Sequence, residues 1–122
     1  MKINFKRLDH IQLCIPIGME KEARNFYTNV LRLTEIPKPA QLKPNGGLWF
    51  QIANIQLHLG TEDITIRSKS HPAFEIEDLL SVRSYLEENN IPTQNEIQVN
   101  GQIRFSFRDP FGNRIEFLEY EN

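Results

Sequence analysis

The sequence predicts an α+β fold built from two copies of one strand-helix-strands unit, and three observations carry that prediction. Asp9-His10-Ile11-Gln12-Leu13 and Ser70-His71-Pro72-Ala73-Phe74-Glu75-Ile76 each open an alternating stretch, with their histidines 71 − 10 = 61 positions apart, half of 122 residues. A helical pattern follows each stretch, and short alternating runs separated by turn signals follow each helix. Two helices and about eight strands result.

In order, the first strand covers Leu8–Ile15. A helix then runs from Glu20 to Leu31, because Ala23, Phe26, Tyr27, Val30 and Leu31 recur on one helical face, with Pro16 and Gly18 before it and Pro37 and Pro39 beyond. A short strand lies near Thr34, and Lys38 to Gly47, with two prolines and two glycines, is a long loop. Gly47–Ala53 and Ile55–Gly60 form a hairpin around Ala53-Asn54. Thr61 to Ser70 is a polar connector, and His71–Ile76 opens the second copy. Asp78 is read as the N-cap of a helix that places Leu79, Val82 and Leu86 on one face and ends at Asn89-Asn90-Ile91-Pro92. The closing strands are a short one in Gln94–Val99, then Gln102–Asp109 and Arg114–Tyr120, the last two joined by the turn Asp109-Pro110-Phe111-Gly112-Asn113.

Composition bounds what such a chain does. It has the length of one domain, residues 1–122, divided into modules of about 1–61 and 62–122. Fourteen Lys and Arg against sixteen Asp and Glu, with signs mixed along the chain, argue against nucleic acid as the main partner. No apolar run approaches the roughly 20 residues that span a bilayer. The basic start MKINFKRLDH is followed by no apolar segment, so no secretory leader is expected. The lone Cys14 has no intrachain disulfide partner, which fits a reducing cytoplasm.

Side chains alternate across a strand, so parity sorts them onto two faces. Ile11, Leu13, Ile15, Phe50, Ile52, Leu57, Leu59, Phe74, Ile76, Phe105, Phe107, Ile115 and Phe117 make the apolar faces that the two helices must cover. His10, Gln12, Cys14, Trp49, Gln56, His58, His71, Arg104, Glu116, Leu118 and Tyr120 share the other. An uncovered sheet face is ordinarily polar because water touches it. This one carries no lysine on its strands yet holds Trp49, Cys14, Leu118 and Tyr120, which matches the apolar wall of a cleft with a few convergent polar groups.

Four motifs spanning nearly the whole chain now carry a resemblance. They are Leu8-Asp9-His10-Ile11-Gln12-Leu13, then Phe26-Tyr27 with Val30-Leu31, then His71-Pro72-Ala73-Phe74-Glu75-Ile76-Glu77-Asp78-Leu79, and finally Asp109-Pro110-Phe111-Gly112-Asn113-Arg114-Ile115-Glu116-Phe117. In order and spacing the sequence resembles the vicinal oxygen chelate superfamily, which contains glyoxalase I, fosfomycin-resistance proteins, bleomycin-resistance proteins and extradiol dioxygenases. The resemblance implies two tandem βαβββ modules whose curved mixed sheets surround a cleft, with helices on the outer face. It implies a divalent metal, Fe, Mn, Ni or Zn, held by His10, His71 and Glu116, with open positions for two neighbouring substrate oxygens.

The sequence departs from particular members. Where glyoxalase I supplies a carboxylate ligand from the last strand of the first module, this chain offers Gln56 or His58, which share a parity. His58 is then a fourth ligand or an acid/base group, and with Glu116 it makes the expected catalytic pair. Gln12 stands where fosfomycin-resistance enzymes tend to carry Thr or Cys. Extradiol dioxygenases are commonly longer. Gln12, Trp49, Gln56 and Arg104 are the expected substrate-binding residues, with Trp49 equally readable as packing and Arg104 or Arg114 as an ion-pair partner of Glu116.

Two functions follow from the resemblance. One is a metal-dependent lyase, isomerase, transferase or dioxygenase acting on a small substrate through vicinal oxygens. The other is a metal-free small-molecule or drug-binding protein, as bleomycin-resistance proteins are. Short chains in this superfamily commonly dimerise, so a homodimer in the cytoplasm, with no nucleic acid or membrane partner, is the expectation.

Overall fold

A computed structural model of the chain describes residues 1–63 and 67–121. The chain divides into two units, 1–63 and 64–122. In the first, β1 (His10–Pro16) leads to α1 (Glu20–Arg24), a π-helical continuation (Asn25–Val30) and β2 (Thr34–Ile36). A 3-10 turn (Ala40–Asn45), β3 (Leu48–Ile52) and β4 (Ile55–Glu62) complete it. The second repeats the order with β5 (Ala73–Glu75), α2 (Leu79–Glu88), β6 (Thr93–Asn95), β7 (Gln102–Arg108) and β8 (Arg114–Tyr120).

Each unit holds one mixed four-stranded sheet, ordered β1-β4-β3-β2 in the first and β5-β8-β7-β6 in the second. In both, the opening strand pairs parallel to the last, and the other pairs are antiparallel. The same topology twice is the repeat that the histidine spacing announced. The fold is α+β with two βαβββ modules.

Each sheet buries its apolar face under its own helix. In the first unit, Ala23, Phe26 and Tyr27 are buried with Ile15, Phe50, Leu57 and Leu59, and the Tyr27 and Phe50 rings lie 5.7 Å apart. In the second, Leu79 and Leu86 of α2 are buried with Phe105, Phe107 and Ile115. Phe117 meets Phe105 and Phe107 edge-on at 5.8 and 4.9 Å, a geometry that ring quadrupoles favour.

Several boundaries differ from the sequence reading for local reasons. The predicted helix Glu20–Leu31 changes hand-hold at Asn25: Leu31 donates to Phe26 O at 3.0 Å, five residues back, and the widened turn lets adjacent Phe26 and Tyr27 both face inward. The long loop contains the 3-10 turn. The strand predicted from His71 starts at Ala73, because Pro72 has no N–H to donate to a ladder. The strand predicted from Leu8 starts at His10, while β4 runs past Gly60 to Glu62, held against Ile15 and Pro16 of β1. It takes the first residues of the predicted connector, of which 64–66 lie outside the described residues. β6 is shorter than Gln94–Val99, and Glu96 beyond it turns toward β7 and β8.

Asp78 precedes α2 as predicted but does not cap it through its side chain. It sits in the left-handed region at φ 56°, and the Glu119 carboxylate on β8 accepts from the Asp78 and Leu79 N–H groups at 2.9 and 3.0 Å. Those two bonds hold the Glu119 carboxyl below its ordinary value.

Candidate functional site

The first unit places its predicted residues on one face, in register. Trp49 and Gln12 lie opposite His58 on either side of β4, and His10 lies opposite Gln56. Neighbouring strands sit about 4.8 Å apart, close enough for flat rings on one face to stack. The Trp49 and His58 rings are 3.8 Å apart at 4°, and His10 covers the opposite face of His58 at 4.1 Å and 16°. Trp49, His58 and His10 therefore form a three-ring stack across β3, β4 and β1.

Hydrogen bonds at the ring edges set where the protons sit. His10 Nδ1 donates to Asp9 Oδ2 at 2.8 Å, leaving Nε2 with its lone pair. His58 Nε2 donates to the Gln56 amide oxygen at 2.9 Å, leaving Nδ1 as the proton acceptor. Burial, then the neighbouring His10 charge, pushes the His58 imidazolium down from its ordinary value, against the pull of Asp9. His58, 6% exposed, is thus held neutral. The hydrogen bond from His10 in turn holds the Asp9 carboxyl down.

A cavity of about 500 Å³ opens beside the stack, lined by His10, Gln12, Trp49, Gln56 and His58 together with Lys38. The first unit's part of the predicted polar face thus lines a cavity. Gln12 lies flat over Gly60, where an added Cβ would come within 2.6 Å of its Nε2. Cys14, on the same strand face, has its thiol pushed up by burial and by Glu62.

The second unit brings His71, Arg104 and Glu116 together. Glu116 lies on the inner strand β8, between Ala73 and Ser106, and is 4% exposed. Its Oε1 accepts from Arg104 Nη1 at 3.1 Å and lies 3.3 Å from His71 Nε2. His71 Nδ1 is 2.8 Å from the Lys69 carbonyl, which only accepts, so Nδ1 carries the proton of the neutral ring. The Nε2 lone pair then faces a carboxylate oxygen. Two acceptors so close need a positive charge to hold them, either a second imidazole proton or a shared cation.

The His71 and Glu116 donors fit a metal in spacing. Two ligand atoms at about 2.1 Å from one ion stand roughly 3.0–3.4 Å apart when adjacent. A backbone carbonyl fixing the outer nitrogen is also the usual support of a ligating histidine. Arg104 is the counter-feature, because its guanidinium already occupies one side of Glu116 Oε1. Within neither unit do three His, Cys, Asp or Glu side chains gather as a metal-holding group among the described residues. No helix among them is long and apolar enough to cross a membrane.

Lys38 was missed by the sequence reading because it lies in a loop, where parity assigns no face. Its ammonium donates to the Gly46 carbonyl at the cavity. Arg114 pairs with Glu96 at 2.5 Å, leaving Arg104 as the partner of Glu116.

The family model described as the Glyoxalase/Bleomycin resistance protein/Dioxygenase superfamily matches residues 7–117. No curated protein matches the sequence. Among solved structures, a glyoxalase family protein from Bacillus anthracis is 38% identical, with a TM-score of 0.93 over 99% of this chain and 100% of that one. The fosfomycin resistance protein FosX from Listeria monocytogenes, solved with Mn(II) and sulfate, is 19% identical, with a TM-score of 0.77 over 97% of this chain and 93% of that one. TnmS3, an antibiotic binding protein from Streptomyces sp. CB03234, is 17% identical, with a TM-score of 0.74 over 98% and 100%. The last two likenesses are of fold.

Proposed function

Because the chain belongs to the Glyoxalase/Bleomycin resistance protein/Dioxygenase superfamily, we propose that it is a divalent-metal-dependent enzyme acting on a small substrate with neighbouring oxygens. The observation that carries this reading is His71 Nε2 standing 3.3 Å from Glu116 Oε1, with Nδ1 2.8 Å from a carbonyl. His71 and Glu116 would be two ligands, and the resemblance implies His10, whose Nε2 is left open by its bond to Asp9, as a further one. When bound, the metal supplies Lewis-acid stabilisation of negative charge developing on a substrate oxygen.

The chain's own residues do the remaining work. His58 accepts a proton at Nδ1, since burial keeps the ring neutral and Gln56 occupies Nε2. Trp49 and His10 fix the His58 ring plane by stacking on both faces. Gln12 and Gln56 offer amide groups to the cavity, and Arg104 steadies the buried Glu116 carboxylate. The reaction class is lyase, isomerase, transferase or dioxygenase.

A metal-free small-molecule binder is the second reading, and Arg104 bonded to Glu116 Oε1 favours it, since a guanidinium there replaces an ion as counter-charge. Metal titration of chelator-treated protein with Fe(II), Mn(II), Ni(II) and Zn(II) separates the two. About one ion per chain, lost in His71→Ala and Glu116→Ala and weakened in His10→Ala, is the enzyme outcome. A chain that takes up none of the four refutes the metal reading and leaves the binder. We further propose a cytoplasmic homodimer, for which a monomer in sedimentation is the contrary result.

A further inference from the structure

The second unit contains a cavity that the proposed metal chemistry does not use. It measures about 310 Å³, and Arg67, Lys69, Arg108 and Arg114 line it against one carboxylate, Glu96. That carboxylate is already engaged: it pairs with Arg114 at 2.5 Å and accepts from Ser106 Oγ at 3.0 Å. Arg67, Lys69 and Arg108 form no ion pair among the described residues.

These cations are held in place by the backbone. Arg108 Nη1 donates to the Ser68 and Gly112 carbonyls at 3.0 and 2.8 Å, and Arg114 Nη1 donates to the Lys69 carbonyl at 3.4 Å. Two arginines on β7 and β8 thereby hold the stretch 67–69 against the sheet and keep Arg67 and Lys69 at the cavity. Burial, and then the charges of Arg67 and Arg114, push the Arg108 guanidinium down from its ordinary value, which is the mark of like charges gathered in one place. A protein ordinarily disperses such charges or pairs them, and a cavity lined by one sign focuses the field on an oppositely charged ligand.

We propose that this cavity binds the phosphate group of a small phosphorylated molecule. A phosphate monoester carries about −1.5 to −2 near neutral pH and presents three acceptor oxygens. Three unpaired cations match that charge and oxygen count, where a single carboxylate would leave two of them without counter-charge. Pro92 and Phe107 add apolar wall beside the cations, and the volume leaves room for an organic group attached to the phosphate.

The test is calorimetric titration of the chelator-treated full chain at constant ionic strength with inorganic phosphate, phenyl phosphate and acetate. Chelator treatment keeps the result separate from the metal reading, which stands or falls on its own titration. Saturable binding of one phosphate per chain is expected, with acetate at least about tenfold weaker and phenyl phosphate at least as tight as phosphate. Arg67→Gln and Lys69→Gln should each weaken phosphate by roughly three- to tenfold, and Arg108→Gln by about tenfold or more. Arg24→Gln, which removes an exposed cation of the first unit paired with Glu35, should leave binding unchanged. Because Arg108→Gln also releases two carbonyls, the Arg67 and Lys69 variants decide the matter if it fails to fold. Non-saturating heats, acetate as tight as phosphate, or binding indifferent to both Arg67→Gln and Lys69→Gln overturns the assignment.

Discussion

Arg104→Met is the substitution that most sharply tests how Glu116 is held. Glu116 is a 4% exposed carboxylate whose Oε1 lies 3.1 Å from Arg104 Nη1 and 3.3 Å from His71 Nε2. Breaking a buried ion pair from one side costs about 3–5 kcal/mol, because the partner is left uncompensated. Here Arg104 is 22% exposed and His71 remains, so the cost falls to the bottom of that range or just below it, about 2–3 kcal/mol. With a urea slope in the usual range for a small protein, that is a midpoint roughly 1–2 M lower. The assay is urea unfolding of chelator-treated wild type and variant, repeated with Zn(II). If His71 and Glu116 bind a metal, the ion replaces the lost guanidinium and stabilises the variant more than the wild type, the variant itself gaining about 2.7 kcal/mol at a hundredfold excess over its dissociation constant. A variant as stable as wild type without metal refutes the ion-pair energetics. Equal or greater stabilisation of the wild type by Zn(II) refutes competition for Glu116.

Further predictions concern the backbone and the helix cap. Gly47→Ala should destabilise by about 3 kcal/mol or more, since the residue has φ +87° and its Cβ would stand 2.1 Å from the Leu59 carbonyl oxygen. Gly60→Ala should cost under about 1 kcal/mol, because only the mobile end of Gln12 must move, yet chemical shifts of the Gln12 amide should change. Urea midpoints check both. Ala53→Gly, which relieves φ +48° in the Ala53-Asn54 hairpin, should raise stability by about 0.5–1 kcal/mol, and an unchanged midpoint would tell against strain there. Glu119 has a folded-state value below its ordinary 4.5, so its contribution is present above that pH and lost as pH falls through the folded value. Glu119→Gln should therefore be less stable than wild type at pH 7, with the gap closing toward pH 3; a gap constant over that range would contradict the cap.

The strand faces were legible because alternation needs only local sequence. Parity put His58, Gln56 and Gln12 on one face with Trp49, and Glu116 with Arg104, before any contact was known. It gave no register between strands, so the stacking of Trp49, His58 and His10 was not readable, nor the bond from Arg104 to Glu116. Residues outside strands have no parity at all. Lys38, Lys69 and Arg67 reach their cavities from loops, and Glu96 does so from just beyond β6. The α2 cap was misread for a related reason: Asp78 is the local candidate by residue type, whereas Glu119 reaches the helix from 41 positions away. The π-helical stretch escaped because a 3.6-residue pattern does not distinguish a regular helix from one with a single widened turn.

The ring stack also makes the chain its own indicator. Trp49 is the only tryptophan, and its indole lies 3.8 Å from His58. A neutral imidazole against an indole face is a weak quencher, and an imidazolium in the same place is a strong one. The emission of the unlabelled protein thus reports the charge on His58, and anything entering the cavity that shifts that charge or separates the rings changes the light without a dye, a coupled assay or a known substrate.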